Sequence, residues 1–421
     1  MTDTATARLP GKNAFFFVLV TVFIDHLAFG LIIPVLPTLI QDLAHVPASG
    51  ATLWIGGLAA TYAVMTFLFG PLVGALSDRF GRRPVLLVSM AMLGLDFLIM
   101  ALAPNIWILF LGRALAGISG ATFSTANAYI ADTTTPAERG RAFGFIGASF
   151  GLGFIFGPVI GGLLGELGPR MPFFAAVALA FINFLYGVFV LPESLPKERR
   201  RKLNFKRANP LGAARHFSKL PKVSWFLIAG GIYFLAHTVF PATWSVHGEI
   251  RYDWSPAQIG LSLGMVGVGA AIVQAGLMGL ILKRLGMIRT VMFGYTVNII
   301  AMSGFAFAGA PLLAYLIIPF AALGGVTMPA NSALMSSLTP PDAQGELQGA
   351  ASSVNALGMI IGPLIMSGAL YAFSREGAPI QFGGAAFLLA AALTAAAFLP
   401  FLRGVAANRD ALPATPPDLN P

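Results

Sequence analysis

Long apolar runs alternate with short clusters of charge, glycine and proline along the whole chain, and that alternation predicts one helix after another. With edges set by the breakers, the runs cover 14–37, 53–73, 84–103, 107–129, 141–164, 172–191, 223–244, 257–281, 290–309, 312–336, 347–372 and 381–402. Each approaches the roughly 20 residues that a helix needs to cross a hydrocarbon core. Twelve such spans put both termini on one side of a bilayer. The opening MTDTATARLPGK is polar, and the apolar run behind it has no small-residue cleavage site, so it reads as a retained first helix rather than a signal peptide.

Composition agrees with this pattern. Of 421 residues, 57% are hydrophobic and only 10% charged, against about 25% charged in a soluble globular protein. The 48 glycines follow no G-X-Y period, and the apolar content is too high for disorder. The absence of cysteine excludes disulfides, thiolate zinc sites, iron–sulfur clusters and thiol chemistry. An all-α integral membrane protein remains.

The net charge of +9 raises nucleic acid as a partner, but the placement of the charge argues against it. Of 26 Lys and Arg, 22 fall on the side of the termini, including ten between Lys197 and Lys222. Only Arg170, Arg251 and Arg375 fall on the other side, and Arg113 lies inside a span. The positive-inside rule then places both termini and the central loop in the cytoplasm, as in a multi-pass inner-membrane protein. The basic central loop is expected to rest on anionic headgroups.

That loop, 192–222, divides the chain into a first bundle over 1–191 and a second over 223–402, with a tail at 403–421. The bundles look duplicated. Gly74, Gly81, Pro136, Gly140, Gly144, Gly153, Gly157 and Pro158 recur 205 residues later as Gly279, Gly286, Pro341, Gly345, Gly349, Gly358, Gly362 and Pro363. Parallel repeats of this kind place a substrate path between the halves near the midplane.

Three motifs carry further information. GALSDRFGRRPV, from Gly74 to Val85, sets Asp78 beside Arg79, Gly81, Arg82 and Arg83 at a helix boundary. A carboxylate there can pair with an arginine or a helix N-terminus, as a latch would. The second copy, GLILKRLGMIR, has Lys283 in place of Asp78, so an acidic latch is single. LGRALAGISGA places Arg113 about two turns inside an apolar helix, where an arginine marks function by default. GASFGLGFIFGPVIGG holds Gly153, Gly157, Gly161 and Gly162 for close helix contact and Pro158 for a bend.

These motifs resemble those of the major facilitator superfamily, and the glycine–proline stretch resembles that of its drug–proton antiporters. DHLAFGLIIPVLP, LSDRFGRRPVLL, LGRALAGISGAT, IADTTTPAERGRAFGFIGASFGLG and QGELQG are similar to the tetracycline-efflux subgroup over nearly the whole chain. The resemblance implies twelve helices in two six-helix bundles, alternating access, and export of a drug-like or amphiphilic molecule against entering protons. It also implies no cofactor besides the coupling proton, and a monomer. Exporters of this subgroup usually carry an acid in the ninth span. Here TVMFGYTVNIIAMSGF has none, and Asn298 lies near that place.

Few ionisable groups lie at depth: Asp25 and His26 in the first span, Asp96 in the third, Arg113 in the fourth and His237 in the seventh. At about 1.5 Å rise per residue, Asp96 and Arg113 sit at similar depth. A carboxylate in apolar surroundings next to an arginine suits a proton carrier. The resemblance implies Asp25 and Arg113 as a coupling pair and supports Asp96. His26, His237, Gln274, Asn298, Asn331 and Asn355 are the candidates for the substrate cavity. The competing reading is a metabolite symporter or uniporter on the same scaffold. An enzyme would need a catalytic pair or a motif such as H-E-x-x-H, and no G-x-x-x-x-G-K-[ST] loop is present for nucleotide.

Overall fold

The computed structural model describes residues 12–120, 122–135, 138–201 and 220–411, and among these every regular element is helical. Arg8, Pro136, the bulk of the basic central loop (202–219) and the end of the tail (412–421) lie outside the described residues.

The first half contains α1 (Lys12–Ile32), α2 (Leu36–Ala44), α3 (Ala48–Phe80), α4 (Arg82–Leu102), α5 (Ile106–Ser119), α6 (Thr122–Thr133), α7 (Arg139–Gly165) and α8 (Met171–Val190). The second contains α9 (Ser224–His237), α10 (Val239–Tyr252), α11 (Pro256–Ile272), α12 (Met278–Phe307), α13 (Pro311–Ala322), α14 (Thr327–Ser337), α15 (Gln344–Ser374) and α16 (Ala385–Ala407). Nine helices among the described residues are long and apolar enough to cross a membrane, or ten if the bent pair α1–α2 counts as one span. The bend, 50°, falls where Pro34 cannot donate to the helix ladder. Several predicted spans are thus two shorter helices in line: 107–129 is α5 followed by α6, and 223–244 is α9 with the start of α10.

Local chemistry sets the helix ends. The Asn105 side chain accepts from the backbone amides of Trp107 and Ile108 and starts α5, while Ser255 and Gln258 form a capping box on α11. Gly81 (φ +108°) separates α3 from α4, and Gly286 (φ +70°) breaks α12. Both need the backbone freedom of glycine, and they stand 205 residues apart.

Within the first half α1 packs on α7 and α8, α3 on α5, and α4 on α8; within the second, α9 packs on α15 and α16, and α12 on α14 and α16. Glycines set the closest approaches. A Cβ on Gly157 or Gly161 would collide with the α1 backbone at Leu27 or Leu31, and one on Gly362 would strike Thr238 at the end of α9. The α1–α7 contact therefore has a counterpart in α9–α15.

The halves meet through α3 against α15 and α7 against α11. They touch over only part of their length. At the end remote from the Gly81 and Gly286 breaks, Gly56 abuts Pro363 and Ser367, and Gly162 and Gly260 interlock with Pro256 and Pro158. One buried cluster joins both halves there, including Leu31, Val35, Phe97, Trp244, Trp254, Phe305 and Phe387. At the opposite end the buried residues form two separate clusters. Phe17, Leu86, Tyr129 and Leu191 belong to the first half; Phe226, Tyr295, Leu334 and Phe401 belong to the second. Gly74 stands about five turns along α3 from Gly56, on the same face, and Gly144 has the same relation to Gly162 on α7. At both positions nothing lies within 4 Å of where a Cβ would be, and the same holds at Gly279, Gly345 and Gly349. The halves are closed together at one end and parted at the other.

Candidate functional site

A cavity of about 860 Å³ lies between the halves. Its wall is mainly apolar: Phe29, Ile32, Ile33, Leu36, Ile55, Leu58 and Phe150 from the first half, Phe234, Val246, Met328, Met359 and Pro363 from the second. Polar groups are few and come from both sides. Tyr62 and Arg113 face Tyr233, His237, Thr238, Ser245 and Gln274. A pocket with apolar walls and a few convergent polar groups is the usual form of a small-molecule site.

Of the three ionisable residues expected at the core of the machinery, only Arg113 reaches this wall. It is 7% exposed, and its guanidinium forms an ion pair with Asp96, which is 0% exposed. The pairing joins α4 to α5, and Gly112 makes room for it: a Cβ there would lie 2.8 Å from Asp96 Oδ1. The guanidinium also sits over the Tyr62 ring, 5.8 Å from its centroid. Asp25 is 9% exposed and is not among the residues of the wall. The Asn183 amide on α8 donates to it at 3.0 Å. Arg113 is therefore paired with Asp96 rather than with Asp25. Depth along a helix was legible in the sequence. Which way each residue faces depends on helix rotation and tilt, and it selected a different partner. Asn183, an interior amide like Asn298 and Asn331, was not singled out, because nothing in the sequence ties α8 to Asp25 on α1.

The cavity candidates divide. His237 and Gln274 line the wall, Gln274 from a π-helical turn at Val273–Leu277. Such turns often mark functional positions. His237 lies in a stacked arrangement with Tyr233, ring centroids 5.1 Å apart. His26, Asn298, Asn331 and Asn355 lie off the wall. His26 Nδ1 lies 2.8 Å from the Val22 carbonyl, and its ring packs on Phe150. Asn298 is buried, and its amide donates to Tyr233 Oη at 3.0 Å and to the Gly294 carbonyl at 2.9 Å. Asn331 donates to the Phe226 carbonyl. Asn298 is thus tied to α9 and to its own helix, and the Asn331 NH2 to α9, while Asn331 Oδ1 is buried without a partner among the described residues.

The Gly74–Arg83 stretch, which is the end of α3, the Gly81 break and the first residues of α4 rather than an open loop, gathers charges within the first half. Arg82 donates to Asp78 at 2.6 Å, to Asp132 at 3.0 Å and to the Ser77 hydroxyl at 3.1 Å. Glu193, just past α8, accepts from the backbone amides of Arg82 and Arg83, which open α4. That carboxylate sits at a helix N-terminus, where it is stabilised. Arg83 reaches the Val188 carbonyl, and Arg79 lies over Phe80. Asp132 and Glu193 were not expected as partners, because they are remote in sequence. Gly153, Gly157 and Gly161 pack α7 on α1, while Gly162 meets α11.

At the closed end two carboxylates cross between the halves. Glu166, after α7, accepts from the Ala257 amide at the start of α11. Gln41 on α2 donates to Glu249 on α10, at 2.9 and 3.2 Å. Ser245 adds a bond to the Ile33 carbonyl.

Comparison with known proteins gives a consistent result. The family profile described as Major Facilitator Superfamily matches residues 18–363 and 252–418. The class C tetracycline resistance protein of Escherichia coli is 40% identical over 401 residues, covering 95% of this chain and 99% of that protein. Multidrug resistance protein 2 of Bacillus subtilis is 30% identical over 393 residues, covering 91% and 94%. Among solved structures, the human organic anion transporter MFSD10 (TETRAN) aligns with a TM-score of 0.68 at 22% identity, covering 93% of this chain and 99% of that one. The nucleoside transporter NupG aligns with a TM-score of 0.75 at 14% identity, covering 93% and 99%. At these identities the two structures bear on the fold alone.

Proposed function

The chain belongs to the Major Facilitator Superfamily, with tetracycline-resistance and drug-efflux transporters as its near relatives, and on that premise we propose that it is a proton-coupled antiporter exporting a drug-like amphiphile, tetracycline-type in class, by alternating access. The observation that carries the reading is the buried ionisable set in the first half, Asp25 with Asn183 and Asp96 with Arg113, of which Arg113 lies on the wall of an apolar cavity between the halves. Charges at that depth are costly unless they do something. Here one of them, Arg113, touches the cavity while its partner sits out of reach of water.

The spans are read as twelve, six in each half, with α1–α2, α5–α6, α9–α10 and α13–α14 each crossing as a pair and Gly286 dividing two more. The paired breaks at Gly81 and Gly286 and the paired contacts α1–α7 and α9–α15 support duplication. Both termini and the 192–222 loop are cytoplasmic in this reading, on the charge distribution. The parted end then faces the cytoplasm, where a substrate for export would enter. The chain acts as a monomer with its basic loop on anionic headgroups.

Protons supply enough work. One entering proton gives about 2.3 kcal/mol per 100 mV and about 1.4 kcal/mol per pH unit. At roughly 150 mV and half a pH unit this sustains about a thousandfold gradient of an uncharged solute.

The rival reading, a metabolite uniporter or symporter, draws on α12, whose sequence holds no carboxylate and whose Asn298 is tied to Tyr233. Substrate added to the purified protein in weakly buffered detergent solution separates the readings. An antiporter releases protons as substrate binds, and Asp25→Asn reduces the release. A uniporter releases none.

A further inference from the structure

We propose that the closed end carries a phospholipid site on the membrane face of the seam between the halves, with an acyl chain held among Trp54, Phe110 and Tyr371 and an anionic headgroup on Arg375.

A further cavity, of about 500 Å³, lies at this seam. Val46, Gly50, Leu53 and Trp54 line it from the start of α3 and the turn before it, Phe110 from α5 and Tyr371 from α15. It shares no residue with the central cavity. On α3 the central cavity takes Ile55, Leu58, Ala59 and Tyr62, which at about 3.6 residues per turn lie on a different face from Gly50, Leu53 and Trp54. Leu53 is exposed, and so are Trp107 and Leu111 on α5 beside the groove. In a chain that spans a bilayer, such an apolar face meets lipid, and tryptophans at a helix end sit at headgroup level. The aromatic floor is fixed by packing. Trp54 stands edge-on to Trp107 and Phe110, with ring centroids 5.7 and 6.1 Å away, and a Cβ on Gly57 would lie 3.1 Å from the Phe110 ring.

The rim supplies one charge. Of the three arginines at this end, Arg170 donates to the Ala101 and Ala103 carbonyls and Arg251 to the Ala308 carbonyl. Arg375 stands one turn beyond Tyr371, its guanidinium 6.0 Å from that ring's centroid. Among the described residues its side chain forms no ion pair or hydrogen bond, not even with Glu376 next to it. A groove that opens on hydrocarbon fills with a chain, and an unpaired guanidinium at the headgroup level attracts a phosphate. Tyr371 and Arg375 belong to the second half and the other lining residues to the first, so the lipid bridges the halves where they are closed.

The test is photolabelling of the full chain in phosphatidylcholine nanodiscs. Three probe lipids carry the same diazirine midway along one acyl chain and differ in the headgroup: phosphatidylglycerol, phosphatidylcholine or uncharged diacylglycerol. Peptide mapping gives the labelling of 46–54 and 107–111 relative to 181–189 on α8, where Phe181 and Phe189 are exposed. The ratio is expected to be highest for phosphatidylglycerol, about fivefold above diacylglycerol, the effect of one arginine on an anionic headgroup. Arg375→Gln is expected to remove that difference. Leu53→Trp, which fills the groove, is expected to lower the ratio for all three probes. Lys283→Gln, at the opposite end, is expected to change nothing. Glycerol 1-phosphate in the buffer is expected to leave the ratio unchanged; displacement by it would point to a soluble phosphate and overturn the lipid assignment. Equal ratios for the three probes, or a phosphatidylglycerol preference that survives Arg375→Gln, overturn the inference as well. None of these readouts involves proton movement, so the antiport reading stands or falls separately.

Discussion

Asp96 and Arg113 depend on each other more than on anything else around them. Breaking a buried pair by removing one partner typically costs about 3–5 kcal/mol, whereas replacing both is far milder. Asp96→Asn or Arg113→Gln alone is therefore expected to lower the thermal midpoint in detergent by several degrees, and the double variant to recover most of that loss. Equal, additive losses would mean that the two side chains do not act as a pair. At this scale the sequence was informative about ionisable residues, because a charge inside an apolar run stands out. It was silent about Tyr62 and Asn183, which look like ordinary members of their helices until their neighbours are known. The amides of Asn298 and Asn331 were equally compatible with a helix tie and a ligand contact, and burial decided for the tie.

Helices α7 and α11 cross at the closed end, where the Glu166 carboxylate meets the first turn of α11. Hydrogen bonds from the Ser255 side chain and the Ala257 amide hold the Glu166 carboxyl below its ordinary range. A carboxylate so lowered strengthens closure while it is ionised, above its ordinary pKa, and the contribution is lost as pH falls through the lowered value. The group is exposed, so the effect is small. Distances measured between labels on the 166–170 turn and the 253–255 turn are expected to lengthen modestly as pH falls through that lowered value. Glu166→Gln is expected to give the longer distance at every pH. A pH response unchanged by the substitution would remove Glu166 from the closure. The breaks at Gly81 and Gly286 were legible through their shared register. The division of single spans into α5 and α6 or α9 and α10 was not, since hydropathy averages over a short interruption.

The whole molecule has two halves locked at one end and splayed at the other, and the chain carries no cysteine. Cysteine pairs can therefore be introduced on an unreactive background. Gln41→Cys with Glu249→Cys is expected to cross-link readily with a short bifunctional thiol reagent, because the two long native side chains already meet end to end across the halves. Gly74→Cys with Gly279→Cys is expected to cross-link poorly in the unliganded protein, as both positions face open space. Substrate and an imposed gradient are expected to raise the second yield and lower the first. Two yields that never change in opposite senses would mean that the halves do not rock. The paired helix breaks at Gly81 and Gly286 were readable from the 205-residue register, but the end at which the halves part was not. That depends on which glycine faces are occupied, and the same glycines serve both arrangements.

The central claim is that a proton on a buried acid drives the exchange, and gradient-driven flux in proteoliposomes tests it most directly. Wild-type protein under an inwardly directed proton-motive force is expected to move a tetracycline-class substrate uphill. Asp25→Asn is expected to lose uphill movement while still equilibrating substrate down its own gradient. Full uphill transport by Asp25→Asn would contradict the account.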